Sequence, residues 1–349
     1  MAAQRAPGGT CRPIGSVQPG SRRYWPRTGL VLGAGGVVGA AWMTGILHAV
    51  QERVPEPLGG VDLIVGTSAG SVLAAALRCG VTLVEMTAMQ HGDPVPVLRD
   101  AGVRDLDEGP LPPRPQLRAG SPRLMLTTLV APHTIHPGVG ASAWLPRGRG
   151  RHEALRATVT ALGEYQARHT TGWTAESWAD GRTWIVAVDY ATGRRVMFGR
   201  AGAPVVPLAD AVVASCSIPG WYAPAVIDGR RYVDGGVRSS TSLRSLAGAG
   251  LDEVWVLAPM ASVVADRPGR TTERLERRVR RLVTRSLLRE AEVLRTAGTR
   301  VTVLTPGPED LAAMGVNLMD PRRRRPALDV AMRTSAATLA AAEGHPQVA

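Results

Sequence analysis

A serine flanked by glycines, GTSAG at Gly66–Gly70, stands where the apolar run VDLIV gives way to the alanine-rich stretch SVLAAAL. A G-x-S-x-G pentapeptide between a strand and a helix holds its serine on a sharp corner, above a helix N-terminus whose first amides favour negative charge. The chemistry such a corner serves is nucleophilic acyl transfer, with Ser68 as the nucleophile; the plain alternative is a structural turn. Upstream, GAGGVVG at Gly33–Gly39 is a second glycine-rich strand-to-helix turn. As a dinucleotide fingerprint it lacks the required small residue at its sixth position, Val38, although Glu52 lies at a suitable distance for a ribose contact. As an oxyanion hole it would aim the Gly35 and Gly36 amides, unobstructed by side chains, at a developing alkoxide. Downstream, YVDGG at Tyr232–Gly236 sets Asp234 at the end of a short strand before Gly235 and Gly236, a pattern that a simple Asp-Gly turn, as in AVIDGR at Asp228, also explains.

A serine nucleophile needs a base, and the histidines do not offer one in the usual order. His48, His91, His133, His136, His152 and His169 all precede Asp234, and only His345, near the end of the sequence, follows it. The remaining solution is a carboxylate acting directly. An aspartate with its ordinary pKa of ~4 is a feeble base at neutral pH, so Asp234 would need burial to raise its proton affinity. That requires a covered, apolar site.

The elements that must position these groups follow from periodicity. TGLVLG and VDLIVG predict buried strands, each followed after a glycine turn by a helix, over Val37 to Gln51 and Ser71 to Leu77. Gly29–Val50 carries no charge and is long enough to span a bilayer, but the glycines crowding its first half favour a strand, turn and helix. Gln90 to Arg151 breaks into Pro, Gly and Arg clusters and predicts a lid-like insertion over about 90–150, helical only around Arg123 to Val130. Beyond it come a helix over Arg151 to Arg168, a hairpin of TWIVAVDY and RRVMFG, a short helix ending at Ile218-Pro219, and two short strands around AVIDGR and RYVDGGV. DEVWVLAP and TRVTVLTP predict further strands, separated by an amphipathic helix over Thr271 to Ala297, and a last helix spans Ala327 to Ala342. Alternation of this kind gives an α/β fold on a mostly parallel sheet. The organisation expected is a disordered tail over 1–27, one α/β unit over 28–320, and a C-terminal helix and tail over 321–349.

Composition narrows the partners. All 41 basic residues are arginine and the formal charge is +12, which suits an anionic membrane, nucleic acid or acidic protein. The arginine-rich stretches, Arg322–Arg325 and the 271–297 helix, interleave no aromatic residue for base stacking, so nucleic acid is not expected. In that helix the apolar side bearing Leu275, Val279 and Leu282 is expected to cover the sheet, with contact to an anionic membrane as the alternative. Cys11, Cys79 and Cys216 form neither a CxxC pair nor a disulfide framework, and the first residues lack an apolar signal core, so a cytoplasmic, reducing location with occasional membrane contact is expected. Most tryptophans are expected in the core, with Trp144, in an irregular loop, given an interfacial or acyl-contact role.

Taken in order, these blocks resemble the patatin-like phospholipase family. The family's glycine-rich loop falls on Gly33–Gly39, its G-x-S-x-G on Gly66–Gly70, its A-S-x-x-x-P-x-x-x-x-P block on Ala214–Pro224, and its D-G-G/A on Asp234–Gly236. The resemblance implies a three-layer α/β/α sandwich and a lipid acyl hydrolase that needs neither metal nor cofactor and acts on lipid esters. It implies a Ser68–Asp234 dyad, an acyl-enzyme, and an oxyanion hole of Gly35, Gly36 and Ala69, with Gly33, Gly39, Gly66, Gly70, Gly235 and Gly236 as motif glycines. One position departs: the family's cation before the last glycine of the first loop is Val38 here, which keeps open a catalytically weak, regulatory or binding role. A nucleotide-dependent oxidoreductase is the third reading.

Overall fold

The computed structural model describes residues 26–93, 95, 114–170, 173–174, 177–178, 180–264, 266 and 269–344. Nearly all of the expected tail, part of the expected insertion, Cys11 and His345 lie outside the described residues. In chain order the elements are β1 (Thr28–Leu32), α1 (Gly36–Gln51), β2 (Leu63–Thr67), α2 (Ala69–Arg78), α3 (Leu83–His91), β3 (Gln116–Ala119), α4 (Pro122–Val130), α5 (Pro137–Trp144) and β4 (Pro146–Arg147). There follow α6 (Glu153–His169), β5 (Thr183–Asp189), β6 (Arg195–Phe198), α7 (Leu208–Cys216), β7 (Ala225–Ile227), β8 (Arg230–Asp234) and β9 (Glu253–Leu257). The chain then forms α8 (Thr271–Thr296), β10 (Arg300–Leu304), α9 (Pro308–Met314) and α10 (Arg324–Gly344).

Five strands, β10, β9, β1, β2 and β5, run parallel in that order. Their side chains alternate between two cores, because successive residues of a strand face opposite sides. Leu30, Leu32, Ile64, Ile185, Trp255 and Leu257 pack under α1, α2, α6, α7 and α10. Val31, Val65, Val186, Val254 and Val256 pack against Leu287, Ala291 and Leu294 of α8. The result is the α/β/α sandwich. The charge-free segment over Gly29–Val50 is β1, a turn and α1, and no described helix is long and apolar enough to cross a membrane.

The remaining strands of this sheet are antiparallel. β6 lies along β5 over Ile185 to Val188, and β7 and β8 form a hairpin turning at Asp228 and Gly229, both at positive φ. With β6 on one edge of β5, β2 and β8 must share the other. There Thr67 of β2 lies opposite Val186, and Asp234 of β8 lies opposite the next residue, Ala187. Two strands therefore meet end to end on one edge of β5, and the residues that leave their tips are neighbours.

The 116–150 portion is more regular than its Pro- and Gly-rich composition predicts: it holds α4, α5 and a β3–β4 pair, and Leu124, Val139 and Ala143 form a small core with Val188 and Tyr190. Ser121 and Pro122 start α4 as N-cap and first-turn proline, so the turn formers here begin helices instead of preventing them. Trp42, Trp178, Trp184 and Trp255 are buried, whereas Trp144 is 51% exposed.

Close approach of β1 and α2 depends on Gly70, where an added Cβ would stand 2.0 Å from the Leu32 carbonyl oxygen. Gly70→Ala is expected to lower the melting temperature by roughly 5–10 °C, as overpacking of a backbone contact does. An unchanged melting curve would mean that α2 moves away from β1 at no cost.

Candidate active site

Ser68 sits at the junction of β2 and α2 with φ 53° and ψ −123°, a region that L-residues adopt only when the surroundings impose it. Two serines impose it. The Ser68 N–H donates to Ser215 Oγ (2.8 Å), and that hydroxyl donates in turn to the Val186 carbonyl of β5 (2.6 Å). From the helix side, Ser71 Oγ donates to the Ser68 carbonyl (2.6 Å). A Cβ at Gly66 would stand 2.6 Å from Ser71 Cα, so only glycine fits beneath the corner.

Asp234 closes β8. Its backbone N–H donates to the Ser217 carbonyl (3.0 Å), and its Oδ1 accepts from the Gly236 N–H (2.7 Å). Asp234 and Ser68 are each only 4% exposed. Burial pushes the Asp234 pKa up to about 6, against the opposing pull of the Ser68 hydroxyl and the Gly236 amide. Burial, and then the nearby Asp234 charge, raises the Cys216 thiol well above its usual range, so that cysteine stays a neutral wall residue. The segment 215–217 thus serves both groups, with the Ser215 side chain fixing the serine corner and the Ser217 carbonyl fixing the aspartate strand. The sequence motif contains these serines, but nothing in their spacing assigns them those partners.

The glycine loop faces the same point. Gly33 N–H donates to Leu257 O (2.9 Å) and Ala34 N–H to Ser240 O (2.8 Å), which anchors the loop to its neighbours. Val38 N–H donates to Leu318 O (3.0 Å) and Gly39 N–H to Gly35 O (2.8 Å). Between them, the amides of Gly35, Gly36 and Val37 have no hydrogen-bond partner among the described residues, and neither do those of Ala69 and Gly70 at the start of α2. Helix N-termini leave such donors open by construction. Val37 is an addition to the three amides expected from sequence. Gly36 has φ 59°, and a Cβ there would stand 2.6 Å from the Leu318 carbonyl oxygen. Gly235 is equally confined, its Cβ position lying 2.7 Å from Val186 O. Val38, in the first turn of α1, is fully buried in the core, an environment that accepts no cation.

A cavity of about 150 Å³ opens from Ser68, Gly36, Val37 and Ala69 and runs between α1, α2, α3 and α6. Apolar side chains such as Val72, Leu73, Met86, Leu155 and Leu162 make most of its wall. Arg324 and His152 are among the polar residues of this wall that carried no predicted site role. Arg324 donates to the Met89 carbonyl (2.9 Å) and Gln90 Oε1 (3.4 Å), and it comes from the Arg322–Arg325 run, which in the sequence reads only as charge. His152 stacks on Tyr222 (3.8 Å between ring centroids), and burial pushes its pKa down to about 4.

This arrangement presents a cornered hydroxyl, a buried carboxyl of raised proton affinity, a row of open amides and an apolar cavity at one point. A comparison with curated protein sequences finds no match. Among solved structures, the chain is similar to VipD from Legionella pneumophila (TM-score 0.42, 12% identity, covering 90% of this chain and 67% of that one). It is also similar to the type III effector ExoU (TM-score 0.31, 16% identity, covering 92% of this chain and 54% of that one). The ExoU–SpcU complex from the type III secretion system of Pseudomonas aeruginosa gives a TM-score of 0.32 at 17% identity, covering 92% of this chain and 67% of that one. The chain therefore spans only about half of the first ExoU chain. The family model described as patatin-like phospholipase matches residues 30–247, which contain all four sequence blocks, and the chain belongs to that family.

Proposed function

We propose that the protein is a lipid acyl hydrolase that cleaves carboxylic ester bonds through Ser68 and Asp234. Family membership supports a lipid hydrolase and sets the nucleotide-dependent reading aside. The observation that carries the finer reading is the end-to-end meeting of β2 and β8 on β5, which puts the serine corner beside the buried aspartate. Asp234 takes the hydroxyl proton as Ser68 Oγ attacks the ester carbonyl carbon, and the alkoxide is held by the Gly35, Gly36 and Ala69 amides. Collapse expels the alcohol, which recovers the proton from Asp234. Water, deprotonated by the same carboxylate, then attacks the acyl-enzyme and releases the acid with Ser68 restored.

Proton affinity favours Asp234 over the cavity histidine as base. The carboxyl at about 6 binds a proton roughly a hundredfold more tightly than His152 at about 4. The substrate is a lipid ester, and the cavity volume accommodates about six carbons of its acyl chain, by comparison with a dry cavity of similar size that takes benzene.

The test is covalent. A fluorophosphonate probe is expected to add one phosphonyl group on the peptide containing Ser68, and p-nitrophenyl esters of short chains are expected to turn over faster than those of long chains. Labelling of another residue, or no ester hydrolysis above buffer, would leave a binding role as the reading.

A further inference from the structure

The expectation that the apolar side of α8 covers the sheet holds only for its C-terminal half. Leu275, Val279 and Leu282 are 63%, 50% and 63% exposed, while the buried positions of the helix include Arg280 and Thr284 as well as Leu287, Ala291 and Leu294. The reason is that an arginine takes the inward position in the first half. Arg280 is 3% exposed, and its Nη1 donates to the carbonyls of Pro259 (2.5 Å) and Ala261 (3.1 Å). Its Nε pairs with Glu276, yet its Nη2 is buried with no hydrogen-bond partner among the described residues. A buried charged donor left open is costly unless a ligand completes it.

Arg280 also lines a cleft of about 410 Å³ between α8 and residues 262–264 and 266. Among the described residues, Arg274, Arg277, Arg278, Arg280 and Arg281 line it, against one lining carboxylate, Asp266, which pairs with Arg277 at 2.7 Å. Glu276 pairs with both Arg277 and Arg280, and Arg278 and Arg281 stand exposed beside them. Exposed apolar side chains flank the arginines on both sides: Val263 and Val264 on the segment, and Leu275, Val279 and Leu282 on the helix. Helical spacing puts Arg274, Arg278 and Arg281 between the cleft and the leucine stripe.

We propose that this face docks on an anionic membrane, with a lipid phosphate seated in the arginine cleft and the flanking valines and leucines entering the bilayer surface. Charge selects the occupant, since guanidinium forks match phosphate, and the flanking valines and leucines are exposed beside them. The inference deepens the lipid-hydrolase reading, although it stands on different residues. Residues 262–264 and 266 and the start of α8 follow the carboxyl end of β9, and Ser68 follows the carboxyl end of β2, parallel to it through β1. Docking and hydrolysis therefore share one end of the sheet. Pro259, held by Arg280, also packs directly on the glycine loop, 2.5 Å from where a Gly35 Cβ would be.

Because Arg280 supports that loop, the test uses the exposed residues. Full-length protein is sedimented with vesicles of phosphatidylcholine alone or mixed with phosphatidylglycerol. Binding is expected only to the mixed vesicles, and to fall about thirtyfold in the double variant Arg278→Gln/Arg281→Gln. It is expected to fall comparably in Leu275→Ser/Leu282→Ser, with turnover of a soluble short-chain ester unchanged in both variants. Equal binding to both kinds of vesicle, or no loss in either variant, would overturn the proposal. So would protection of the cleft by inorganic phosphate without any vesicle binding. Ser68→Ala is expected to bind the mixed vesicles as wild type does, so failure of docking and failure of hydrolysis are read separately.

Discussion

Ser68→Ala is expected to lower hydrolysis of a p-nitrophenyl ester by a factor on the order of 10⁴–10⁶, the range seen when a serine nucleophile is deleted from a site whose oxyanion donors remain. The proposed donors remain, because the Gly35, Gly36 and Ala69 amides belong to backbone that alanine leaves in place. Ser68→Gly gives a second readout. At φ 53° the serine backbone is held in a positive-φ conformation that glycine adopts freely, so the glycine variant is expected to be as inactive as alanine yet more stable than it. The expected gain is about 1 kcal/mol, measured as a higher urea midpoint at unchanged slope. A glycine variant less stable than alanine would show that the corner is not strained and that its geometry needs no support from Ser215. Residual hydrolysis at the wild-type rate in either variant would remove Ser68 as the nucleophile.

The parts of this site written in short sequence blocks were legible, and the parts assembled across the sheet were not. Gly66 and Gly70 announce a strand-to-helix corner because a Cβ at either would collide with backbone a few residues away or on the adjacent strand. The parallel order of β1, β2 and β5 follows from the alternation of apolar runs and helices. What no local rule contains is the register along β5, where Thr67 and Asp234 occupy consecutive positions from strands more than 160 residues apart. The acyl cavity is of the same kind, since α3, α6 and Arg324 come from three separate stretches. α3 itself was overlooked despite a readable start: Thr82 and Glu85 form a reciprocal capping box, with Glu85 N–H to Thr82 Oγ at 3.2 Å and Thr82 N–H to Glu85 Oε2 at 2.9 Å. In α8 the hydrophobic period was correct and its orientation was not. Periodicity identifies a stripe, but Arg280, by reaching two carbonyls at the sheet end, decides which stripe turns inward.

Asp234→Asn is expected to remove catalysis nearly as completely as Ser68→Ala, by at least about 10³-fold, because the amide cannot accept the serine proton. The wild-type profile is expected to carry the signature of the same group. Only the ionised carboxylate is a base, so kcat/KM should rise with pH through about 6 and level off above it. Stability runs in the opposite sense. Burial raises the folded-state pKa above its unfolded value, so the folded protein holds this proton more tightly than the unfolded chain does, and the stability this contributes is full at low pH. It is lost as pH rises from the ordinary carboxylate value toward about 6, a difference of about 3 kcal/mol at neutral pH. Asparagine keeps the shape without the buried charge. Asp234→Asn is therefore expected to melt roughly 5–10 °C above the wild type near neutral pH, with the gap closing near pH ~4 as the wild-type carboxyl becomes neutral. A gap that persisted at acid pH would trace the effect to packing, and a variant less stable at every pH would mean that the Asp234 charge is compensated in the fold. The trade expected at this residue, activity gained at the expense of stability, is the physical form that a Ser-Asp pair must take if the aspartate is to act as a base without a histidine.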